Sequence, residues 1–231
     1  MPPVTLSTAF EAICLMDAPL SVRLDAYTAK LRELNYPFAE AYENLIKRLR
    51  AGEVGSAAPQ VGETMPPFLL PSKSCHLVSL DGLVRKGPVV ISFNRGHWCP
   101  FCRIELQTLA SYHDELAQAG AQIVSIMPDR QEFAGHIDPQ TRIAMQILTD
   151  IDNGYALSLG LVAWLGDELK VLMQRRGYHL DTYHGNDSWF VPVPATFVVG
   201  SDGRVVARFI DADFRRRMEI SDILEALKHA S

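Results

Sequence analysis

Hydrophobic positions near the start of the chain recur at the spacing of a single helical face: Leu24, Tyr27, Leu31 and Leu34 in one run, Phe38, Tyr42, Leu45, Ile46 and Leu49 in the next. Ser21 stands where an N-cap belongs for the first helix, and Pro37 can open the second. Gly52, Gly55, Ser56 and Pro59 then break the pattern between Ala51 and Gly62, as a linker does. From Val61 onward short apolar runs alternate with helical patterns. The runs predict strands near 76–80, 89–93, 122–126, 146–148, 196–199 and 205–209, and helices at 99–118, 131–136, 153–159 and 219–229. Strands interleaved with helices point to an α/β sandwich. Ser201-Asp202-Gly203 between two valine pairs predicts a hairpin, so the last two strands pair antiparallel. The expected organisation is a helical N-terminal extension over residues 1–56 and an α/β domain over 57–231. The helical stripes must be buried somewhere, either on the main domain or in a homodimer surface.

Charge changes the picture little. A net charge of −5 gives no general attraction to nucleic acid or to an anionic membrane. The start of the chain lacks the basic and apolar segments of a secretory signal, and no apolar run approaches the roughly 20 residues of a membrane span. A cytoplasmic location follows as the expectation. In a reducing compartment, a closely spaced cysteine pair points to catalysis rather than to a structural disulfide.

The pair is Cys99-Pro100-Phe101-Cys102, placed directly after the apolar run Val89-Val90-Ile91-Ser92-Phe93 and directly before a helical pattern. A strand that delivers a thiol to a helix N-terminus puts it beside unpaired N–H groups and the positive end of the helix dipole, which stabilise the nucleophilic thiolate. Two other readings are a structural zinc site and an inert core pair. Zinc needs about four ligands, and neither Cys14, Cys75 nor the seven histidines forms a second paired motif. Pro100 suits the first turn of a helix, where its missing N–H costs nothing. Redox chemistry is therefore the favoured reading, and it calls for no metal or cofactor.

In that reading Cys99, at an exposed helix start, attacks, and Cys102, one turn in, resolves. Arg95 is a candidate for lowering the Cys99 pKa or positioning a substrate atom, against the alternative of a surface charge at a strand end. Trp98, Pro100 and Phe101 are candidates for shaping the site. His97 is a candidate donor to the thiolate, although a solvent-facing loop histidine is the simpler expectation. Glu105 reads as a helix-surface carboxylate, Cys75 as incidental and Cys14 as a small core residue. Arg215-Arg216-Arg217, after Asp211 and Asp213, reads as a solvated charge run.

Several segments taken together resemble the peroxiredoxins, the alkyl hydroperoxide reductase and thiol-specific antioxidant superfamily. They are Val61-Gly62-Glu63 through Phe68-Leu69-Leu70-Pro71, then Val78-Ser79-Leu80, Gly87 through Phe93, Ile126-Met127-Pro128-Asp129 and Leu148-Thr149-Asp150. Asn94-Arg95-Gly96-His97-Trp98-Cys99-Pro100-Phe101-Cys102 is similar to the Arg-Gly-x-Trp-Cys-Pro-x-Cys signature of a peroxiredoxin-like branch. The resemblance, over roughly 60–231, implies a thioredoxin-like fold and a thiol peroxidase reducing hydroperoxides, recycled by a thioredoxin- or glutathione-type reductant. The runner-up function is a thiol-disulfide oxidoreductase acting on protein disulfides; the third is a redox-sensing or zinc-binding interaction module. Where typical members carry a hydroxyl three residues before the reactive cysteine, Gly96 precedes Cys99; where they carry an arginine before the late strand, this chain has Pro194. The latter matches the cis-proline of thioredoxins, so the resemblance implies a cis Val193–Pro194 bond beside the cysteines.

Overall fold

In the computed structural model, which describes residues 5–134 and 145–230, the chain opens with three helices, α1 (Leu6–Cys14), α2 (Leu20–Leu34) and α3 (Tyr36–Ala51). The rest alternates strands and helices: β1 (Leu69–Pro71), β2 (Leu77–Ser79), α4 (Leu80–Val84), β3 (Val89–Phe93), α5 (Pro100–Ser111), α6 (His113–Gln118), β4 (Gln122–Met127), α7 (Gln131–Ala134) and β5 (Gln146–Thr149), of which β1 and α4 are additional to the expected elements. A single 3-10 turn, Ile151–Asn153, leads into α8 (Gly154–Ser158), β6 (Val162–Trp164), α9 (Asp167–Arg175), α10 (Leu180–His184), β7 (Phe190–Pro192), β8 (Ala195–Val199), β9 (Val205–Ile210) and α11 (Ile220–Leu227). The far end of the helix expected at 131–136 lies outside the described residues.

The central sheet has the order β5-β4-β3-β8-β9, with β3 parallel to β4 and antiparallel to β8. The hairpin expected from Ser201-Asp202-Gly203 is present, β8 pairing antiparallel with β9. β3 is buried along its whole length, as a central strand covered on both faces must be. Alternate residues supply the two faces. Val89, Ile91 and Phe93 join Phe197 and Tyr155 in one layer, while Val90 joins Leu106, Leu109, Ile223 and Leu227 in the other. The fold is thioredoxin-like: a mixed sheet between helical layers, carrying helices at its N-terminal end. Among the described residues no helix is long and apolar enough to cross a membrane.

The N-terminal helices pack on α5 of the same chain. Phe10, Leu24, Tyr27, Leu31, Tyr42 and Leu45 share one core with Phe101, Cys102 and Ile104, so the stripes are spent within the chain. Arg23 fastens this layer: its guanidinium donates to Thr108 Oγ1 at 2.6 Å and to the carbonyls of Ile13 and Cys14 at 3.2 and 2.9 Å. α5 is thus apolar on opposite faces, one against the sheet and one against the added helices, the pattern of a buried helix.

Several expectations need correction. Ser21 does not cap α2; Pro19 is its N-cap, and the carboxylate of Glu219 accepts from the N–H groups of Leu20 and Ser21 at 3.2 and 2.7 Å. The apolar stripe of α2 effectively ends at Leu31, since Leu34 is exposed. The helix expected at 99–118 is divided at Tyr112, which caps α5 and precedes α6. The segment read as a linker is packed, with Arg208 donating to the carbonyls of Ala58 and Pro59 at 2.7 and 2.8 Å. The Val193–Pro194 bond is trans, because no cis peptide occurs among the described residues. The chain passes from β7 into β8 with only these two residues between, and Val193 donates to Leu161 O at 2.8 Å. This path requires no reversal, so the preferred trans form prevails.

Candidate active site

Strand β3 ends at Phe93, and residues 94–99 carry the chain over to the N-terminus of α5. Cys99 is the N-cap of that helix and Pro100 opens it. Asn94 anchors the near end of the loop, its Nδ2 donating to Ser92 Oγ at 2.8 Å and Ser125 Oγ at 3.1 Å. The middle is held by Asp129, just past β4. Its Oδ2 accepts from the His97 backbone N–H at 2.6 Å and meets His97 Nδ1 at 2.9 Å, while Oδ1 lies 3.5 Å from His184 Nε2. Burial pushes the Asp129 carboxyl up, but His184 and His97 outweigh it, leaving the pKa below the ordinary value. Gly96 has a φ of +135°, and a Cβ there would come within 2.7 Å of Asp129 Oδ1 and 2.5 Å of Trp98 Nε1. Only glycine permits so close an approach.

Cys99 and Cys102 are both reduced, and both are 0% exposed. This corrects the expectation of an exposed Cys99: Tyr27 and Tyr42 of the N-terminal helices, with Met173, Trp189 and Phe214 of the α/β part, form the core in which it is enclosed. Beside it is a cleft with a cavity of about 30 Å³, lined by Tyr27, Phe38, Tyr42, Trp98, Pro100 and Tyr178 among others. Burial alone would raise the Cys99 thiol. Hydrogen bonding from the Cys102 thiol, then the charges of Arg95 and Arg217 and the Cys102 backbone N–H, outweigh it and bring the pKa down from 9.0 to about 6. Cys102 is pushed upward by burial and by its bond and proximity to Cys99. The two shifts run in opposite directions, so Cys99 is the thiol that ionises first.

Two guanidiniums supply the positive field. Arg95 is only 1% exposed, lies 4.2 Å from the ring of Phe214, 5.1 Å from that of Trp98 and 5.7 Å from that of Tyr42, and acts on Cys99. Its backbone N–H donates to Cys102 Sγ at 3.4 Å. Arg217 donates through Nη2 to Cys102 Sγ at 3.6 Å and through Nε to Glu105 Oε2 at 2.5 Å. Glu105 also accepts from Ser92 Oγ at 2.9 Å.

The sequence matches the AhpC/TSA family over residues 61–208, well over half of the chain. The chain belongs to the AhpC/TSA family. Membership makes it an oxidoreductase of the peroxiredoxin type at the level of the family. Among solved structures, it resembles peroxidoxin BcpB from Mycobacterium tuberculosis, with 20% identity and a TM-score of 0.57 over 75% of this chain and 99% of that one. It also resembles a cysteine-to-serine mutant of peroxiredoxin 6 from Arenicola marina (16% identity, TM-score 0.56, 73% of this chain and 72% of that one). A third is the reduced 2-Cys peroxiredoxin of Plasmodium vivax, at 14% identity and a TM-score of 0.54, covering 73% of this chain and 80% of that one. At these identities the likeness is one of fold. No curated protein matches significantly.

Within this AhpC/TSA framework the structure gathers Arg95, Trp98, Pro100, Phe101 and Tyr42 around the two sulfurs. It places Pro194 buried, one residue beyond the Phe93–Ala195 pair and so at the loop end of β3. His97 departs from both earlier readings. Its ring is mostly buried against Phe133 and Tyr183 and turned to Asp129. Glu105, expected on a helix surface, is buried, and so is Arg217, expected in a solvated charge run. Arg215 is largely buried too, bound to Asp213 and Glu43, and only Arg216 matches the solvated reading. Sequence reading missed Asp129 as a site residue. Its position at the end of a central parallel strand, where α/β sites form, was the available signal. Cys75 is exposed, in a left-handed conformation before β2, and Cys14 is half-buried at the end of α1.

Proposed function

We propose that the chain is a thiol peroxidase in which Cys99 attacks a hydroperoxide and Cys102 resolves the product. The observation that carries this reading is the complete burial of both sulfurs beside an aromatic cleft that Trp98 and Pro100, the neighbours of Cys99, help to line. A cavity of about 30 Å³ admits only small or slender groups. The paired oxygens of a hydroperoxide meet that limit; the disulfide of a folded protein does not. The Cys99 thiolate attacks the terminal peroxide oxygen and the O–O bond breaks, releasing water or an alcohol and leaving a sulfenic acid on Cys99. Cys102 then displaces hydroxide from that sulfur, giving the Cys99–Cys102 disulfide and water. Arg95 stabilises the thiolate and the developing negative charge, Trp98, Pro100, Phe101 and Pro194 wall the site, and His97 holds the loop. A thioredoxin- or glutathione-type reductant completes the cycle without a further cofactor. Residues 1–56 are the extension that closes the site, 57–231 the redox domain, and the setting is cytoplasmic.

Stopped-flow tryptophan fluorescence of the reduced protein mixed with hydrogen peroxide tests this, because Trp98 adjoins Cys99. The expected result is fast oxidation that consumes two thiols per peroxide, lost in Cys99→Ser and halted at the sulfenic acid in Cys102→Ser. Oxidation no faster than that of a free thiol overturns it. Gly96, which offers no hydroxyl to a peroxide, favours the second reading, a thiol-disulfide oxidoreductase; reduction of insulin disulfides without peroxide turnover is its signature. A zinc module is disfavoured by the two guanidiniums beside the sulfurs, which repel a cation.

A further inference from the structure

The charge of Arg95 is unbalanced. The side chain is buried, and among the described residues no carboxylate pairs with Nε, Nη1 or Nη2; its polar neighbour is the neutral hydroxyl of Tyr42. A buried cation without an anion is costly, and the charge of the opposite sign that acts with Arg95 is the Cys99 thiolate. Arg217 has Glu105 as a second partner in either redox state. Arg95 has none once Cys99 is tied in a disulfide. Oxidation therefore removes the anion that the buried guanidinium needs, which favours the reduced form over the oxidised one.

A narrow cleft lies beside the pair, walled by Trp98 and Pro100, the residues on either side of Cys99. Tyr27, Phe38, Tyr42, Trp98 and Tyr178 line the cleft, and the exposed Arg176 stands at its edge, 5.9 Å from the ring of Phe38. A protein dithiol at a helix N-terminus, like that of α5, carries its sulfur on a broad surface that this cleft does not admit. A thiol at the end of a thin, flexible chain can enter, and a carboxylate on that chain would meet Arg176.

We propose that the oxidised Cys99–Cys102 pair is strongly oxidising and is reduced by a low-molecular-weight anionic thiol entering the aromatic cleft, rather than by a docked thioredoxin-type protein. The inference rests on the reading of the pair as the redox centre. One thiolate attacks Cys99 Sγ, the Cys99–Cys102 bond breaks, and Cys102 departs and takes up a proton. A second thiolate attacks the outer sulfur of the mixed disulfide, releasing Cys99 as a thiolate; the two external thiols leave as their own disulfide, having given two electrons. A thiol with a low pKa leaves readily, and Cys99 is such a group.

The test starts from full-length protein oxidised with stoichiometric peroxide or diamide, with loss of two thiols confirmed by thiol counting. If no intramolecular disulfide forms, the redox-centre reading itself fails, and this inference with it. The disulfide is then mixed with glutathione, with neutral 2-mercaptoethanol, or with thioredoxin, its reductase and NADPH. Glutathione is expected to reduce it completely and at least about tenfold faster than thioredoxin at equal thiol concentration. Arg176→Gln should slow glutathione several-fold while leaving 2-mercaptoethanol unaffected. Arg95→Met should move the glutathione equilibrium about tenfold or more toward the disulfide, a change of about 30 mV for a two-electron couple. Arg95→Lys, which keeps the cation, should shift the equilibrium less than Arg95→Met, and thermal unfolding of both variants controls for folding. Faster reduction by thioredoxin, or an equilibrium indifferent to Arg95→Met, overturns the proposal.

Discussion

Nη2 of Arg217 lies 3.6 Å from Sγ of Cys102, although 115 residues separate them in sequence. The same guanidinium holds the buried carboxylate of Glu105, so the thiol, the cation and the anion form one enclosed network. Arg217→Met should leave Glu105 charged and unpaired in the interior, destabilising the protein by about 3–5 kcal/mol. Urea unfolding measures this, and adding Glu105→Gln to Arg217→Met should recover a large part of the loss. Equal stability of wild type and Arg217→Met would show that the pair contributes nothing.

The depressed Cys99 pKa has a defined sign. The folded thiol titrates near 6 and the ordinary value is 9.0. The folded state therefore holds the thiolate across that interval while the unfolded chain holds the thiol. The stabilisation is present in full above the higher value and is lost as pH falls through the lower one. The stability of the reduced protein, measured against its disulfide form, should rise between pH 6 and 9. Thiolate ultraviolet absorbance should show a step near pH 6 that Cys99→Ser removes.

The N-terminal helices should control access to the site. Leu24 is buried in the core that α2 shares with α5, and Leu24→Ala should cost about 2–5 kcal/mol. Loosening this layer should also expose the sulfurs. Bulky maleimides, slow with the wild type, should label Cys99 faster in Leu24→Ala under native conditions. Unchanged labelling at reduced stability would mean that reagents reach the pair by another route.

His97 and Arg95 flank the cysteines but should behave differently. The His97 ring is turned to Asp129, so His97→Ala should shift the Cys99 titration much less than Arg95→Met, which should raise it. Asp129→Ala leaves the His97 backbone N–H without its carboxylate and should cost about 1–3 kcal/mol. Thermal unfolding measures the cost. A Cys99 titration that followed His97 would place the ring on the thiolate instead.

Local pattern determined much of this protein. The buried run Val89–Phe93, the proline-opened helix after Cys99 and the Ser201-Asp202-Gly203 turn each encode their element through neighbouring residues. Period and turn chemistry are local properties, so the α/β architecture and the redox pair are legible in the chain. What lay beyond sequence was decided by contacts between distant segments. β6, β7 and α10 are too short to show a period, while α1 and α9 are amphipathic but only nine residues long, and all of them draw stability from the layers they cover. The burial of Cys99 depends on Tyr27 and Tyr42 arriving from the extension. Glu105 and Arg217 are ordinary surface residue types until α5 and the segment before α11 bring them together away from water. Charge and spacing assign a side chain its chemistry, but its surroundings set its pKa, its access and its partner. Those surroundings exist only once the layers have packed.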